Sequence, residues 1–224
     1  NQDILAKPVV IQEKIDGSQI SFGVDNKFNL FARSKNVDID INNPGQFEEA
    51  INSLLKIKKT LIPSCTYRGE YLQYPRHNKL RYNRVPNHHI IIFDVQNEHG
   101  DYLHYDDIKR FVLPGTDLEL VPVYATGQFN RQTLEQKAPE WLSKESILGG
   151  SVEGFVIKNY NLFDSDGKPL MEKYVRSDFK ETNNFRLSGQ EKFQEFLDKL
   201  VQSLMNENRY HKAVQHLRDA NLLT

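Results

Sequence analysis

The run Ile90-Ile91-Ile92-Phe93-Asp94-Val95 constrains this chain more than any other stretch. It has strand length, and it is almost continuously apolar and β-branched. Such a run reads as a strand buried on both faces, so other parts of the chain must cover it on each side. A chain of 224 residues, 38% hydrophobic with 13 Phe and 10 Tyr, can supply that cover. One large domain, or one domain with a small appendage, is expected.

The segments around it read as short strands with intercalated helices. Val9 to Ile15 is a strand, and Asp16-Gly17 predicts a hairpin turn into a return strand, Gln19 to Val24, because Gly accepts the positive φ of a tight turn. Phe28 to Arg33 is a third strand. Asn43 and Pro44 predict the cap and first turn of a helix carrying Phe47, Ile51, Leu54, Leu55 and Lys58 at helical spacing. Cys65 to Leu72, Leu118 to Tyr124, Val152 to Tyr160 and Leu170 to Val175 read as strands. Tyr105 to Val112 and Arg131 to Leu142 read as helices. Near residue 185 the pattern changes to two amphipathic helices, marked by Phe193, Phe196, Leu197, Leu200, Val201 and Leu204 and then by Tyr210, Val214 and Leu217. The expected fold class is α+β, with a mainly antiparallel body over 1–184 and a helical C-terminal subdomain over 185–224.

Composition excludes several classes. A net charge of −1 gives no global basic field, so nucleic acid would need a local patch. The single cysteine, Cys65, rules out a disulfide framework and a cysteine-based zinc site. No apolar run approaches the roughly 20 residues that span a bilayer. The sequence opens without Met or a secretory signal, so a trimmed N-terminus and a cytoplasmic setting (the host's, if viral) are expected.

One stretch carries candidate chemistry: Gln12-Glu13-Lys14-Ile15-Asp16-Gly17-Ser18. A lysine before a tight turn can act as a nucleophile if it is neutral. Free lysine, with a pKa of about 10.4, is neutral in about one molecule in 2,500 at pH 7. Apolar flanks and nearby cations are expected to lower that value at Lys14. The same residues also fit an ordinary hairpin. Singly, Glu70 and Glu153 fit outward strand residues, Phe93 a core aromatic, and Lys173 an edge-strand lysine.

Their joint order is more informative. Phe31-Ala32-Arg33-Ser34-Lys35, Tyr67-Arg68-Gly69-Glu70-Tyr71-Leu72, His89 to Val95, Val152-Glu153-Gly154-Phe155-Val156-Ile157-Lys158 and Glu172-Lys173-Tyr174-Val175-Arg176 follow the lysine stretch. This series resembles the motifs of the covalent-lysine nucleotidyltransferases, the ATP-dependent ligases and mRNA capping enzymes. It is most similar to RNA ligases related to the phage enzyme that seals nicks in double-stranded RNA. Glu13 beside the lysine, the Glu-Gly-Phe-Val-Ile-Lys motif, and a helical tail in place of an OB barrel carry that likeness.

The resemblance implies an ATP-grasp-like adenylation fold and a lysyl-AMP intermediate, with ATP and Mg²⁺ or Mn²⁺ as cofactors. Lys14 would attack the α-phosphate, Glu13 would help read adenine, and Arg33 would lie near phosphate or RNA. Glu70 would contact the ribose and Phe93 would stack on the base. Glu153, with Asp16, would hold a divalent ion through water. Lys158 and Lys173 would neutralise the α-phosphate. The partner would be RNA, as a nicked duplex or broken ends, bound by a monomer. The acid-free segment with Arg76, Lys79, Arg81 and Arg84, and also Arg176, would meet its phosphates; as residues alone, the segment fits a solvated loop equally. Asp16 stands where phage relatives often have His, and Gln19 where DNA-type ligases have Arg. The final motif has Val175 where a second lysine is usual, so either Arg176 substitutes or one cation acts. A DNA-nick ligase, a guanylyltransferase and an inactive RNA-end-binding module remain the alternatives.

Overall fold

The computed structural model describes residues 3–77, 80–165, 167–176 and Gln215. In chain order the elements are β1 (Val9–Lys14), β2 (Ser18–Val24), β3 (Leu30–Ser34), α1 (Glu48–Ile57), β4 (Thr66–Tyr71), β5 (Arg76–His77) and β6 (Leu80–Arg81). They continue with β7 (Ile90–Gln96), α2 (Tyr105–Asp107, running into a π-helical turn Ile108–Val112), β8 (Glu119–Leu120), β9 (Val123–Gly127), α3 (Arg131–Leu142), β10 (Gly154–Phe163) and β11 (Pro169–Val175). The expected helical subdomain, 185–224, lies outside the described residues apart from Gln215. No helix among the described residues is long and apolar enough to cross a membrane.

The strands form two sheets and a ribbon. Sheet I has the order β11-β10-β1-β9, sheet II the order β3-β2-β4-β7-β8, and β5 pairs with β6. All pairs are antiparallel except β7 with β8. The central strand β7 is buried as its sequence demands: Ile90, Ile91, Ile92 and Val95 are inaccessible to solvent. Period-2 alternation sends Ile20, Phe22, Tyr67 and Ile92 to one face of sheet II, where Ala50, Ile51 and Leu54 of α1 cover them. Ile11, Phe155 and Ile157 point to the outer face of sheet I, against Leu134, Ala138 and Trp141 of α3. A third cluster, including Ile15, Leu72, Tyr82, Ile91 and Val121, fills the space where the sheets meet. The layers therefore run α1, sheet II, sheet I, α3.

Three expectations are corrected here. Asp16-Gly17 is not a hairpin turn, because β1 and β2 lie in different sheets. Gly17 is also absent from the positive-φ residues. It is small for another reason: a Cβ there would meet the Tyr71 carbonyl oxygen at 2.7 Å and Glu70 Cγ at 2.8 Å. Leu118 to Tyr124 is not one strand. Pro122 cannot donate to a ladder, and around it the chain leaves sheet II at β8 and enters sheet I at β9, its carbonyl accepting from the Glu13 amide at 3.0 Å. Asn43 does not cap α1, whose N-cap is Phe47, preceded by a 3-10 turn over Gly45–Phe47.

Candidate active site

Lys14 ends β1 at the point where the chain crosses from sheet I to sheet II. Alternation puts Val10, Gln12 and Lys14 on the face toward sheet II, and Val9, Ile11 and Glu13 on the face toward α3. The partner strand fits this: Gly154, Val156 and Lys158 lie opposite Lys14, Gln12 and Val10. One strand further, Lys173 stands across from Val156. Sheet II contributes Glu70, opposite Gln19.

The Lys14 ammonium donates to a Glu153 carboxylate oxygen at 2.5 Å. Burial alone would depress the Lys14 pKa. The charge of Glu153, then that of Glu70, the Glu153 hydrogen bond and the charge of Asp16 outweigh burial, and the net shift is upward. The expected depression is therefore reversed, because the neighbours are anions and not cations. Glu70 shows the other side of this crowding. Burial pushes its carboxyl up to about 8, with Glu153 and Asp16 adding repulsion and Lys14 and Lys173 opposing it. Lys14, Asp16, Glu70, Glu153 and Lys173 thus share one electrostatic field.

Local geometry holds this group in place. The Asp16 amide donates to the Tyr82 hydroxyl at 2.8 Å. The Gln215 side-chain amide donates to the Gly17 carbonyl at 3.1 Å and to Ser18 Oγ at 2.9 Å. The Glu153 carbonyl accepts from the Arg176 amide at 3.0 Å. Gly154 lets β11 come close, since a Cβ there would sit 2.0 Å from the Tyr174 carbonyl oxygen.

Phe93 is the extra residue where the β4–β7 register shifts, with Arg68 opposite Asp94 but Gly69 opposite Ile92. Lys158 sits over it, its Nζ 5.1 Å from the ring centroid. That ammonium is already engaged: it donates to the Phe93 carbonyl at 2.8 Å and to Asp94 at 2.9 Å. The Tyr160 hydroxyl donates to the other Asp94 oxygen at 2.7 Å. Burial depresses the Lys158 pKa, Asp94 offsets part of this, and Lys173 adds to it. Lys158 therefore ties sheet I to sheet II beside Phe93.

The remaining expected residues are more dispersed. Glu13 faces α3, where it accepts from the Ile147 amide at 3.2 Å; burial raises its pKa against the pull of Ser146, Ile147 and Tyr124. Arg33 is exposed, 3.7 Å from Asp38. Arg84 is held in a two-pronged pair with Glu119, at 2.8 and 2.6 Å. Arg76 and Arg81 are exposed and directly opposite each other in the β5–β6 ribbon. Lys79 lies outside the described residues. Sequence reasoning passed over Gln12 and Asp94. An acid inside an apolar strand, and a polar residue two places before the lysine on the same face, were the available signals.

The three carboxylates around Lys14 suit a divalent ion, since Glu70 is driven to hold a proton where a cation could sit. Among the described residues no three His, Cys, Asp or Glu side chains converge to ligate an ion directly. A divalent ion at these carboxylates would therefore be held through water.

No curated protein matches this sequence. Among solved structures, the chain is similar to mutant forms of the Naegleria gruberi RNA ligase. One, with AMP and Mn, has 17% identity and a TM-score of 0.55, covering 82% of this chain and 54% of that one. Another, with ATP and Mn, has 16% identity and a TM-score of 0.56, covering 80% and 53%. The Naegleria ligase with PPi has 18% identity and a TM-score of 0.54, covering 80% and 52%. The chain spans about half the length of the structures it matches. At that identity the likeness establishes the fold, a two-sheet body of the kind described above. The sequence model of the family described as RNA ligase matches residues 7–175, from before β1 to the end of β11, and so takes in every strand that carries the site. This chain belongs to the RNA ligase family.

Proposed function

We propose that the chain performs the nucleotidyl-transfer chemistry of an ATP-dependent RNA ligase. One observation carries this reading: Lys14, Asp16, Glu70, Glu153 and Lys173, drawn from distant parts of the sequence, share one field between the sheets. In the first step the neutral Lys14 amine attacks the α-phosphorus of ATP. A P–N bond forms, the bond to the β-phosphate bridging oxygen breaks, and pyrophosphate leaves. The amine loses its proton as it becomes the phosphoramidate. In the second step an RNA 5′-phosphate displaces Lys14 and takes the AMP. In the third, an RNA 3′-hydroxyl attacks that phosphate and AMP leaves.

Each residue has a part that follows from its position. Lys14 must exchange its bond to Glu153 for the α-phosphate, and the proton that Glu153 stabilises must leave. Asp16, Glu70 and Glu153 would hold a divalent ion through water, which would supply charge neutralisation there and lower the preference of Lys14 for its protonated form. Lys173 lies on the same face and compensates the phosphate charge. Phe93, half-buried against the core with the Lys158 ammonium over its ring, would offer a stacking surface for a base. Support for RNA comes from the ribbon, where Arg76 directly opposes Arg81. Like charges so placed repel unless an anion bridges them, and a phosphate backbone supplies one.

The deciding experiment is incubation with α-labelled ATP and Mg²⁺ or Mn²⁺. The wild-type chain becomes labelled in an acid-labile, base-stable P–N linkage, and Lys14→Ala does not. Labelled protein then seals nicked RNA. Label from GTP and not ATP would turn the reading toward a guanylyltransferase. Sealing of nicked DNA alone would turn it toward a DNA ligase, and RNA binding without label toward an inactive end-binding module.

A further inference from the structure

Tyr82 stands where the basic ribbon ends and the lysine turn begins. Its amide donates to the Pro75 carbonyl at 2.8 Å, closing the base of the β5–β6 ribbon. Its hydroxyl accepts from the Asp16 amide at 2.8 Å. Ile15, Asp16 and Gly17 belong to neither β1 nor β2. No strand ladder serves the backbone there, so a buried donor needs another partner. The tyrosine at the end of the ribbon supplies it.

The neighbours of Tyr82 give this link a direction. Leu80 and Tyr82 are buried in the cluster that holds Ile15 and Leu148, whereas Arg81 between them is exposed. Alternation therefore turns a guanidinium outward and a phenol toward the lysine turn, a single peptide unit apart. Arg81 lies directly across the ribbon from Arg76. The same segment also grips the loop that leads into Glu153. The Asn83 and Arg84 amides donate to the Leu148 carbonyl at 3.0 and 3.2 Å. Gly150 permits the approach, since a Cβ there would stand 2.6 Å from the Arg81 carbonyl oxygen. Burial pushes the Tyr82 hydroxyl above the ordinary tyrosine range, so it serves as a neutral hydrogen-bond partner and not as a base.

We propose that Tyr82 is a positioning residue: its hydroxyl fixes the lysine turn through the Asp16 amide, and it makes that placement respond to RNA phosphate held between Arg76 and Arg81. Repulsion between the two arginines lets the empty ribbon loosen. A bridging anion favours the closed ribbon, and Tyr82 then holds Asp16 more firmly. This rests on the RNA ligase reading above, and the experiment separates the two.

Amide hydrogen exchange at Asp16 is measured on the full chain with and without a nicked RNA duplex. The nick carries a 5′-hydroxyl, so the duplex can occupy the ribbon but cannot accept AMP. At duplex concentrations that saturate binding by anisotropy, RNA slows Asp16 exchange in the wild type by about tenfold, within the usual range of coupling between two sites. In Tyr82→Phe the exchange without RNA is faster, and saturating RNA no longer slows it. Single-turnover labelling of Tyr82→Phe from ATP falls by about tenfold at saturating ATP, the effect of one lost hydrogen bond, with half-saturating ATP unchanged.

An Asp16 amide that RNA leaves unaltered in the wild type overturns the proposal, whatever the variant does. So does equal slowing in Tyr82→Phe, which would mean that RNA covers Asp16 directly. A rise in half-saturating ATP in place of the fall in rate would make Tyr82 a nucleotide contact and overturn its positioning role. Labelling of the wild type together with an Asp16 amide indifferent to RNA defeats this inference alone. A Tyr82-dependent response of Asp16 to RNA in a chain that takes no label defeats the transferase reading alone.

Discussion

Lys14 and Glu153, 139 positions apart in sequence, are joined by a hydrogen bond of 2.5 Å between ammonium and carboxylate. The pair holds the candidate nucleophile in its unreactive, protonated form. Single-turnover labelling should therefore rise with pH as the amine is freed. In Glu153→Gln the rise should move to lower pH, about tenfold more neutral amine appearing for each unit that the lysine pKa falls. The maximal rate should still drop, because the carboxylate proposed to assist the divalent ion is gone. A pH–rate profile of wild type and variant checks both effects; coincident profiles would remove the pair from the mechanism.

Glu70 makes stability depend on pH in an unusual direction. Its carboxyl is pushed up to about 8 in the folded chain, from an ordinary value of 4.5. Between those values the folded state binds more protons than the unfolded state. The Glu70 contribution is complete below about 4.5 and is lost as pH rises through about 8. Urea titrations across this window should show the loss in wild type and a flatter curve in Glu70→Gln.

The same group should couple cation binding to proton release. A divalent ion near Glu70 favours the ionised carboxylate. Mn²⁺ should therefore bind more tightly at pH 8.5 than at 6.5, releasing up to one proton over and above the buffer's own response. Calorimetry in buffers of different ionisation enthalpy measures this, and the release should vanish in Glu70→Gln.

Lys158 and Asp94 form a buried pair, 2% and 1% exposed, that bridges the two sheets. Lys158→Met leaves Asp94 charged and unmatched, and should cost about 3–5 kcal/mol. Replacing both, as Lys158→Met with Asp94→Leu, should cost less than Lys158→Met alone. Denaturant melts of the full double-mutant cycle check the sign of the coupling. Additive losses would mean the pair is not a unit.

Gly17 tests the crossover. Gly17→Ala places a methyl against the Tyr71 carbonyl and Glu70 Cγ. Overpacking of this kind should destabilise by about 1–3 kcal/mol. Labelling should fall as well, since the same contact sets the distance between the Lys14 and Glu70 strands. A variant as stable and active as wild type would show that the crossover tolerates a side chain.

The sequence by itself determined the strands and their order of chemistry. The β-branched start of Val9–Lys14 and the apolar run at Ile90 are local patterns, and they survive folding because each strand must bury one or both faces. The bounds of α3, Arg131–Leu142, are likewise those expected from its helical pattern. Tertiary structure decided the rest. Asp16-Gly17 has hairpin chemistry, yet β1 pairs with β10 and β9, because only long-range pairing chooses a strand's partners. Having chosen them, it separated Glu13 from Gln12 by one peptide unit and one sheet face, and occupied Lys158 with Asp94. It also surrounded Lys14 with carboxylates where its apolar sequence neighbours implied a depressed pKa. Charge acts through space, and its effect on a side chain depends on which residues distant in sequence are folded against it.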